Sequence, residues 1–255
     1  MKFIIAAALS LLFNLPVCLY AQADTSSSTK DNNKKALVYE VRRLKQTMRI
    51  DANWDKAPWQ TVKPLEIKNF MGVIPSFKPT VEAKIMYDDN NVYVIFRVKD
   101  RFVHSLVQEY NGNVSGDACV EFFFAPDAGL PLRYFNLEIN AGGTPLLFYV
   151  TNPWTDFTKL DSNDIKKIEI AHSLPGIVDP EIKELVTWTI EYRIPFSMLQ
   201  KFSNVTRPTR GTTWKANLYK TASQSTNKHW ITWSPVDNPK PNFHLPQFFG
   251  TLKFR

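Results

Sequence analysis

Residues 81–98 read VEAKIMYDDNNVYVIFRV. Apolar residues alternate with other residues from Val81 to Tyr87, a polar Asp-Asp-Asn-Asn turn follows, and a second apolar run begins at Val92. This pattern is typical of a β-hairpin, because successive side chains of a strand point to opposite faces. The same strand-like character recurs in residues 119–124, 134–141, 145–150, 186–193, 213–221, 229–234 and 248–254.

The fold class follows from the number and spacing of these segments. Long amphipathic helices are missing, and only residues 195–200, which open on a proline, predict a short helical turn. Many short strands at this spacing indicate an all-β fold. We predict an antiparallel two-sheet β-sandwich of the immunoglobulin-like or jelly-roll-like kind.

Composition agrees with a folded β protein. The chain of 255 residues is 44% hydrophobic and 22% charged, which excludes a wholly disordered or collagen-like protein. Prolines number 17 against 9 glycines, and 13% of residues are aromatic. This combination favours short strands joined by stiff turns.

The N-terminus has the pattern of a secretory signal peptide. Lys2 precedes a mostly apolar run, and Ala21-Gln-Ala23 offers a small-x-small cleavage site. We predict a signal peptide over residues 1–23, a flexible polar spacer over 24–35 and one domain over 36–255, with no transmembrane segment. The mature protein is then periplasmic or extracellular. Lipid anchoring through Cys18 is the alternative, which Val17 disfavours.

The charge and the remaining cysteine allow few functions. Residues 193–255 hold ten Lys or Arg and one acid, which predicts either a solvated basic rim or attraction to an acidic glycan. No nucleic-acid recognition motif is present, so we expect no nucleic-acid partner. Cys119 lies in an apolar strand pattern and is interpreted as a buried small side chain.

Side-chain alternation places several polar groups together. If Val120, Phe122 and Phe124 face the core, Glu121 faces away from it, and the same argument applies to two further strands. The polar groups on these non-core faces are Glu121, Asn136, Glu138, Asn217 and Tyr219. They predict a polar binding surface, or simply the solvent-exposed face of a sheet.

Five motifs in order resemble carbohydrate-binding module family 9. They are Ile50-Asp51 with Trp54 and Trp59, the hairpin at 85–94, DACVEFF at 117–123 with YFNLEINAGGT at 134–144, WTIEYRIPF at 188–196, and WSP at 233–235 with FHLPQFFG at 243–250. The resemblance covers nearly all of residues 40–255. It implies an antiparallel β-sandwich that clamps a sugar between aromatic rings and does no chemistry.

The resemblance also implies a set of sugar-binding residues. Glu121 falls on the acidic strand position, Phe243 on a clamping aromatic position, and Tyr219 on a polar contact position. The second clamping Trp is absent before Asp117. Four further candidates are Tyr110, the nearest aromatic residue to that gap, Trp154 in a loop, Glu138 where the family has an Arg, and Lys220, which with Lys240 would favour an acidic sugar.

Phe243 has two interpretations at this stage. As a platform on a loop, it should be replaceable by alanine at little cost to folding. As a core plug, it should cost several kcal/mol of stability when replaced. The tryptophans at 54, 59, 188 and 214 are assigned to the core.

Other function classes remain as alternatives. Glu121 and Glu138 could form the carboxylate pair of a glycoside hydrolase. A related sandwich binds haem, for which axial ligands could come from His104, His172, His229, His244, Met48, Met71, Met86 and Met198. There is no C-x-x-C-H attachment site.

Calcium is a separate question. Asp88 and Asp89 with the two following asparagines crowd oxygen atoms into one turn, and the resemblance implies structural calcium. An Asx-rich hairpin turn explains the same residues. We expect no obligatory cofactor and a monomer that captures an oligosaccharide or polysaccharide, in glycan capture or polysaccharide catabolism.

Overall fold

Strands dominate the computed structural model of the protein, which describes residues 37–255. The predicted signal peptide and spacer lie outside the described residues. The strands are β1 (Val38–Arg43), β2 (Leu65–Ile67), β3 (Asn69–Met71), β4 (Thr80–Tyr87), β5 (Asn91–Asp100), β6 (Val103–Ser105), β7 (Cys119–Ala125), β8 (Tyr134–Asn140), β9 (Pro145–Asn152), β10 (Asp156–Lys159), β11 (Glu169–His172), β12 (Val178–Ile182), β13 (Val186–Pro195), β14 (Thr213–Ala222), β15 (His229–Thr232) and β16 (Gly250–Phe254).

Helices are short in the part of the chain that the structure describes. They are α1 (Ala57–Gln60), α2 (Ser162–Ile165) and α3 (Phe196–Leu199), with 3-10 turns at Val114–Gly116 and Pro246–Phe248. The helical turn predicted at 195–200 is α3, and the predicted strands correspond to β4, β5, β7, β8, β9, β13, β14, β15 and β16 within a few residues at their ends. Across residues 37–255, no helix is long and apolar enough to cross a membrane.

The strands form a curled sheet whose two halves face each other. One half has the order β10-β9-β8-β7-β14-β16-β1, and the other continues as β1-β4-β5-β13-β11. Within the first half β15 pairs with β14 and with β3, while β2 pairs with β4 in the second. A small separate sheet contains β6 and β12. We call the first half sheet A and the second half sheet B.

The predicted sandwich is confirmed, with one correction to its strand directions. Strand β1 pairs in parallel with β16 through Val38–Val41 and in parallel with β4 through Arg42–Arg43. The sheet is therefore mixed rather than purely antiparallel. Alternation within a strand says which face a side chain takes, but it contains no information on the direction of the neighbouring strand.

The main core fills the space between sheets A and B. Val120, Phe122 and Phe124 of β7 face it, as predicted from their alternation. All four tryptophans assigned to the core, Trp54, Trp59, Trp188 and Trp214, are buried there. Cys119 is also buried and is not in a disulfide.

A buried glutamate that sequence analysis missed ties the segment before α1 to sheet B. The carboxylate of Glu191 on β13 accepts hydrogen bonds from the backbone N–H groups of Asp51 and Ala52 at 2.9 and 2.8 Å, and from Trp59 Nε1 at 2.8 Å. Lys56 Nζ lies 2.6 Å from the same carboxylate and neutralises it. Because every lone pair has a donor, this buried charge is tolerated.

Candidate functional site

The face of sheet A that points away from the core is covered by a second layer. Residues 234–249, which we call the covering segment, pack across it together with Met71 of β3. Phe243 and Phe249 of the segment contact Phe123 of β7 and Tyr219 of β14 in a second apolar cluster. This outer face is consequently buried.

Polar side chains of the outer face anchor the covering segment. Asn217 donates from Nδ2 to Ser234 O at 3.0 Å and accepts from Ser234 N at 2.8 Å, so its amide satisfies both backbone groups of the segment's first residue. The Tyr219 hydroxyl donates to Phe243 O at 3.1 Å. The Phe243 ring stacks on the Tyr219 ring, with centroids 4.1 Å apart and planes at 14°.

These contacts correct one of the sequence-based interpretations. Alternation assigned the correct face to Glu121, Asn136, Glu138, Asn217 and Tyr219, but simple solvent exposure of that face is wrong, because all five are buried. The covering segment is rich in proline and has no strand periodicity, so its position over the sheet is not encoded in an alternating pattern.

A pocket of about 150 Å³ opens between the covering segment, strands β7 and β8, and the β9–β10 turn. Its lining residues are Ser115, Glu121, Glu138, Trp154, Thr221, Ser223, Trp230, Pro241, Asn242, Phe243 and His244.

Two glutamates form the floor of the pocket. Glu121 on β7 and Glu138 on β8 are directly opposite in the antiparallel register. Glu138 accepts a hydrogen bond from Asn136 Nδ2 at 3.2 Å, and Asn136 in turn accepts from Phe148 N at 2.9 Å. No described residue donates a hydrogen bond to Glu121, although its side chain is only 2% exposed.

Burial and mutual repulsion change the acidity of this pair. Removal from water raises the pKa of Glu138 to about 7, against the smaller opposite effect of the Asn136 amide. Burial first, and the neighbouring Glu138 charge second, raise the pKa of Glu121 well above its usual range, while Lys220 opposes them. Like charges on directly opposed strand positions repel, so the pair retains a proton to a higher pH than either group would alone.

Aromatic rings form the walls. Trp154 is 68% exposed and lies at the β9–β10 turn with a φ of 68°, which is an unfavourable backbone conformation for a bulky residue. Its indole contacts the His244 ring edge-on, with centroids 4.4 Å apart. Backbone strain of this kind is characteristic of functional positions.

The structure brings four of the predicted sugar-binding residues to one pocket: Trp154, Glu121, Glu138 and Phe243. Two other predicted residues, Asn217 and Tyr219, lie under the covering segment and anchor it. Asn136 supports Glu138. Tyr110 does not line the pocket, and neither does the exposed Lys240.

The assignment of Lys220 to the sugar site is wrong. It follows Tyr219 directly, so alternation turns it to the opposite face of β14. Lys220 Nζ is fully buried, 3.3 Å from Asp100 Oδ2, and it donates to Thr221 O and His229 Nε2 at 2.8 Å each. The charge that was expected to attract an acidic sugar therefore lies inside the protein.

Seven lining residues were not predicted as sugar ligands, and two of them, Trp230 and His244, carry aromatic rings. Trp230 lies on β15 between His229 and Ile231, which are both buried, so alternation alone would have placed it on the outer face with Glu121. His244 was considered as a haem ligand, and its Nδ1 lies 2.8 Å from the Tyr134 hydroxyl. Burial lowers the pKa of His244 to about 4, so the pocket wall is uncharged there at neutral pH.

One group of side chains within residues 37–255 has the spacing of metal ligands. Cys119 Sγ and one carboxylate oxygen from each of Glu121 and Glu138 lie within 4.8 Å of one another. Zinc accepts such ligands, but only with the thiol deprotonated. Burial, followed by the charges of the two glutamates, raises the pKa of Cys119 well above its usual range, so the structure disfavours the thiolate.

The turn considered for calcium uses its oxygens differently. Asp88 accepts from the backbone N–H groups of Asn90 and Asn91 at 2.8 and 2.7 Å and from the Tyr93 hydroxyl at 2.5 Å. Asp89 is exposed and pairs with Arg43. These contacts form an Asx turn and do not fit a converging cage of six to eight oxygens. The calcium prediction has no support at this turn.

The histidines and methionines considered for haem have other contacts. His104 lies 3.4 Å from both Asp117 and Glu181, and His172 lies 2.7 Å from Leu174 O. Each of the methionines considered is buried in an apolar cluster: Met48, Met86 and Met198 in the main core and Met71 under the covering segment. The arrangement gives the haem hypothesis no support.

The buried glutamate pair predicts an unusual effect of pH on stability. Below about pH 4.5 the pair is protonated whether the chain is folded or not. As the pH rises from there to about 7, the unfolded chain releases these protons while the folded chain retains them, so the pair's contribution to the unfolding free energy falls. Replacing Glu138 with Gln removes this penalty, so the variant should gain melting temperature relative to the wild type as the pH is raised from 4.5 to 8.

The difference between the two proteins is the quantity to measure. His229 and His244 have lowered pKa values and give the wild type a slope of the opposite sign, and this contribution is the same in the Glu138→Gln variant. Glu66→Gln, at an exposed acid on β2, is the matched control. A difference in melting temperature that is the same at pH 4.5 and pH 8 would contradict the assignment.

The comparisons with known proteins agree with one another. A family model described as "Carbohydrate-binding family 9" matches residues 46–254. A candidate carbohydrate-binding protein from Bacteroides uniformis has a similar structure, with a TM-score of 0.74 and 25% identity, covering 86% of this chain and 100% of that chain. No curated protein sequence matches.

Two structures of a family 9 carbohydrate-binding module from Caldicellulosiruptor kristjanssonii share the fold. The complex with glucose has a TM-score of 0.59 and 17% identity, and the complex with cellotriose has a TM-score of 0.58 and 18% identity. They cover 86% of this chain and 96% and 94% of their own chains.

Proposed function

The chain belongs to carbohydrate-binding family 9, and from that premise we propose that the outer-face pocket binds one sugar unit of a glycan. The observation that carries this proposal is the combination of aromatic walls with an unsatisfied acidic floor. Trp154, Trp230 and Phe243 supply ring surfaces, and Glu121 supplies oxygen atoms that no described residue hydrogen-bonds.

The chemistry of a pyranose matches these groups. Its C–H faces are apolar and pack on aromatic rings, while its hydroxyl rim needs hydrogen-bond partners. An ionised glutamate accepts hydrogen bonds worth about 1.5–3 kcal/mol, and a protonated one can also donate. A few such contacts to one small sugar give a Kd between micromolar and millimolar.

The carboxylate pair also raises the question of hydrolysis. In glycoside hydrolases two carboxyl groups flank the scissile bond, with one raised in pKa to act as the acid. Glu121 and Glu138 are adjacent on the floor of the pocket, so both lie on the same side of a bound sugar. We therefore expect no release of reducing sugar from common polysaccharides, and steady turnover that disappears in Glu121→Gln would contradict this expectation.

The biological setting of the proposal comes from the sequence. The signal-peptide pattern over residues 1–23 supports export to the periplasm or the cell exterior. A protein with a sugar-binding pocket at that location would capture glycans or hold them for polysaccharide-degrading enzymes. A fractionation experiment that finds the protein in the cytoplasm would contradict this part of the proposal.

A glycan array probed with residues 24–255 is the direct test. Titration calorimetry with glucose and cellotriose should follow, since these sugars are bound in the two structural neighbours. The proposal expects saturable binding to at least one glycan. Absence of binding across the array and in both titrations would overturn it.

Replacing Trp154 with alanine should weaken sugar binding without affecting folding. The indole forms a pocket wall and is mostly exposed, so its removal should raise the Kd about tenfold or more, which is about 1.4 kcal/mol. The melting temperature should change by little.

Phe157→Ala is the matched control for this variant. Phe157 is an exposed aromatic residue on β10 of the same hairpin, where it stacks on Phe148 at 5.1 Å, and it does not line the pocket. Equal Kd values for Trp154→Ala and Phe157→Ala would remove Trp154 from the site.

A further inference from the structure

We propose that the pocket selects a sugar carrying a positively charged amino group, such as a glucosamine unit. The proposal rests on the proposed function, because it concerns the ligand of the same pocket. Among the described residues that line the pocket, Glu121 and Glu138 are acids and none is a lysine or an arginine. The negative charge at the floor therefore lacks a partner within the pocket itself.

Glu121 is the pocket residue whose carboxyl group has no hydrogen-bond donor among the described residues. It is almost completely buried, lines the pocket, and receives no hydrogen bond from any described residue. Two neighbouring donors are already used, since Tyr219, opposite Glu121 on β14, donates to Phe243 O and the Asn136 amide donates to Glu138. The Glu121 oxygens line the pocket and have only solvent as a donor there, so a ligand that replaces this water with charged N–H donors gains binding free energy.

Lys220, the residue after Tyr219, cannot donate to Glu121 or neutralise the floor from within the pocket. Lys220 lies on the opposite face of β14 and pairs there with Asp100. Its nitrogen is also held by Thr221 O and His229 Nε2. A neutral sugar offers hydroxyl donors to the floor, whereas an ammonium offers up to three N–H donors and a full positive charge.

The walls suit the same ligand. Trp154, Trp230 and Phe243 surround the floor, and aromatic faces attract cations as well as the C–H surface of a sugar ring. Hydrogen bonds between an ammonium and a carboxylate are roughly twice as strong as those between neutral groups. An acidic sugar would instead bring a third negative charge to the pair.

Titratable groups near Glu121 and Glu138 influence how the preference of the pocket for an amino sugar depends on pH. The titratable groups that interact with the pair are Cys119 on β7, Tyr134 on β8, and Tyr219 and Lys220 on β14, while His244 of the covering segment lines the same pocket and Asp117 acts on Cys119. Of these, only Lys220 is a lysine or arginine. Raising the pH from 5 to 7 begins to ionise Glu138, whose pKa is about 7, so the preference for an amino sugar should be larger at pH 7 than at pH 5.

Calorimetric titration with glucosamine, glucose, N-acetylglucosamine and glucuronic acid tests the proposal. EDTA in every buffer removes metal ions as a cause. At pH 7.5 the Kd for glucosamine should be at least about tenfold lower than for glucose, which is about 1.4 kcal/mol. N-acetylglucosamine, which carries no charge, should not share this advantage. The ratio of the Kd for glucosamine to the Kd for glucose should approach one in Glu121→Gln and in Glu138→Gln. In the exposed control Glu66→Gln, this ratio should equal that of the wild type.

The outcomes separate this inference from the proposed function. Equal affinity for glucosamine and glucose, or tighter binding of glucuronic acid than of either, would overturn the inference and leave a neutral or acidic sugar as the ligand. Binding of none of these sugars, together with an empty glycan array, would overturn the proposed function itself. A preference for glucosamine that persists unchanged in both glutamine variants would also overturn the inference.

Discussion

Replacing Phe243 with alanine is expected to lower the unfolding free energy by about 3–5 kcal/mol. The ring is 7% exposed and stacks on Tyr219 within the second apolar cluster. Its removal leaves a cavity under the covering segment, which the tightly anchored backbone is poorly able to fill. Sugar binding should weaken in the same variant, because the other side of the ring lines the pocket.

The structure thus combines the two interpretations of Phe243 that the sequence left open. Phe249→Ala separates them experimentally. Phe249 is buried in the same cluster and contacts the Tyr134 ring edge-on at 5.3 Å, but it does not line the pocket. Both variants should lose stability in thermal unfolding, and only Phe243→Ala should raise the Kd of the remaining folded protein. A melting temperature of Phe243→Ala equal to that of the wild type would show that the ring is a platform alone.

Lys220→Met should be about as destabilising, by about 3–5 kcal/mol, because it leaves Asp100 buried without its cation. Asp100 Oδ2 lies 3.3 Å from Lys220 Nζ and has no aligned hydrogen-bond donor among the described residues. His229 does not fully replace the lysine, since burial, the main cause of its lowered pKa, is still present in the variant. Chemical denaturation measures the loss.

A double-mutant cycle provides the control for this ion pair. Asp100→Asn removes the stranded charge, so adding it to Lys220→Met should recover part of the lost stability. Lys220→Met should still bind glucose at temperatures where the variant is folded, because the side chain faces away from the pocket, but loss of the lysine charge should raise the pKa of Glu121 further. Full stability of the single variant, or a selective loss of sugar binding, would contradict the structural assignment.

The sequence predicted those parts of the fold that depend on local periodicity. Alternation located the hairpin β4–β5 and assigned Glu121 and Tyr219 to the outer face, as the structure confirms. The same rule, applied one residue further, would have turned Lys220 inward. Its assignment to the site was an error of interpretation rather than a limit of the sequence.

Other features depend on contacts between distant segments, which periodicity does not encode. Strand β1 pairs in parallel with β16, whose residues lie more than 200 positions away in the chain, and with β4, whose residues lie about 45 positions away. The covering segment has prolines and no repeating pattern, so the burial of Glu121 could not be predicted. Trp154 was predicted as a candidate because an exposed loop tryptophan can serve as a sugar platform and could replace the missing clamp, but its φ of 68° could not be predicted from the sequence.

The covering segment is also a natural point of divergence. It is one continuous stretch held to sheet A by a few hydrogen bonds and rings, and it contributes Pro241, Asn242, Phe243 and His244 to the pocket. Substitutions among these four would change the shape of the pocket while the main core between the sheets keeps its packing. Exchange of this stretch between family members should therefore change how a ligand fits against one wall of the pocket while the acidic floor on β7 and β8 stays in place, provided that the anchoring Asn217 and Tyr219 are retained.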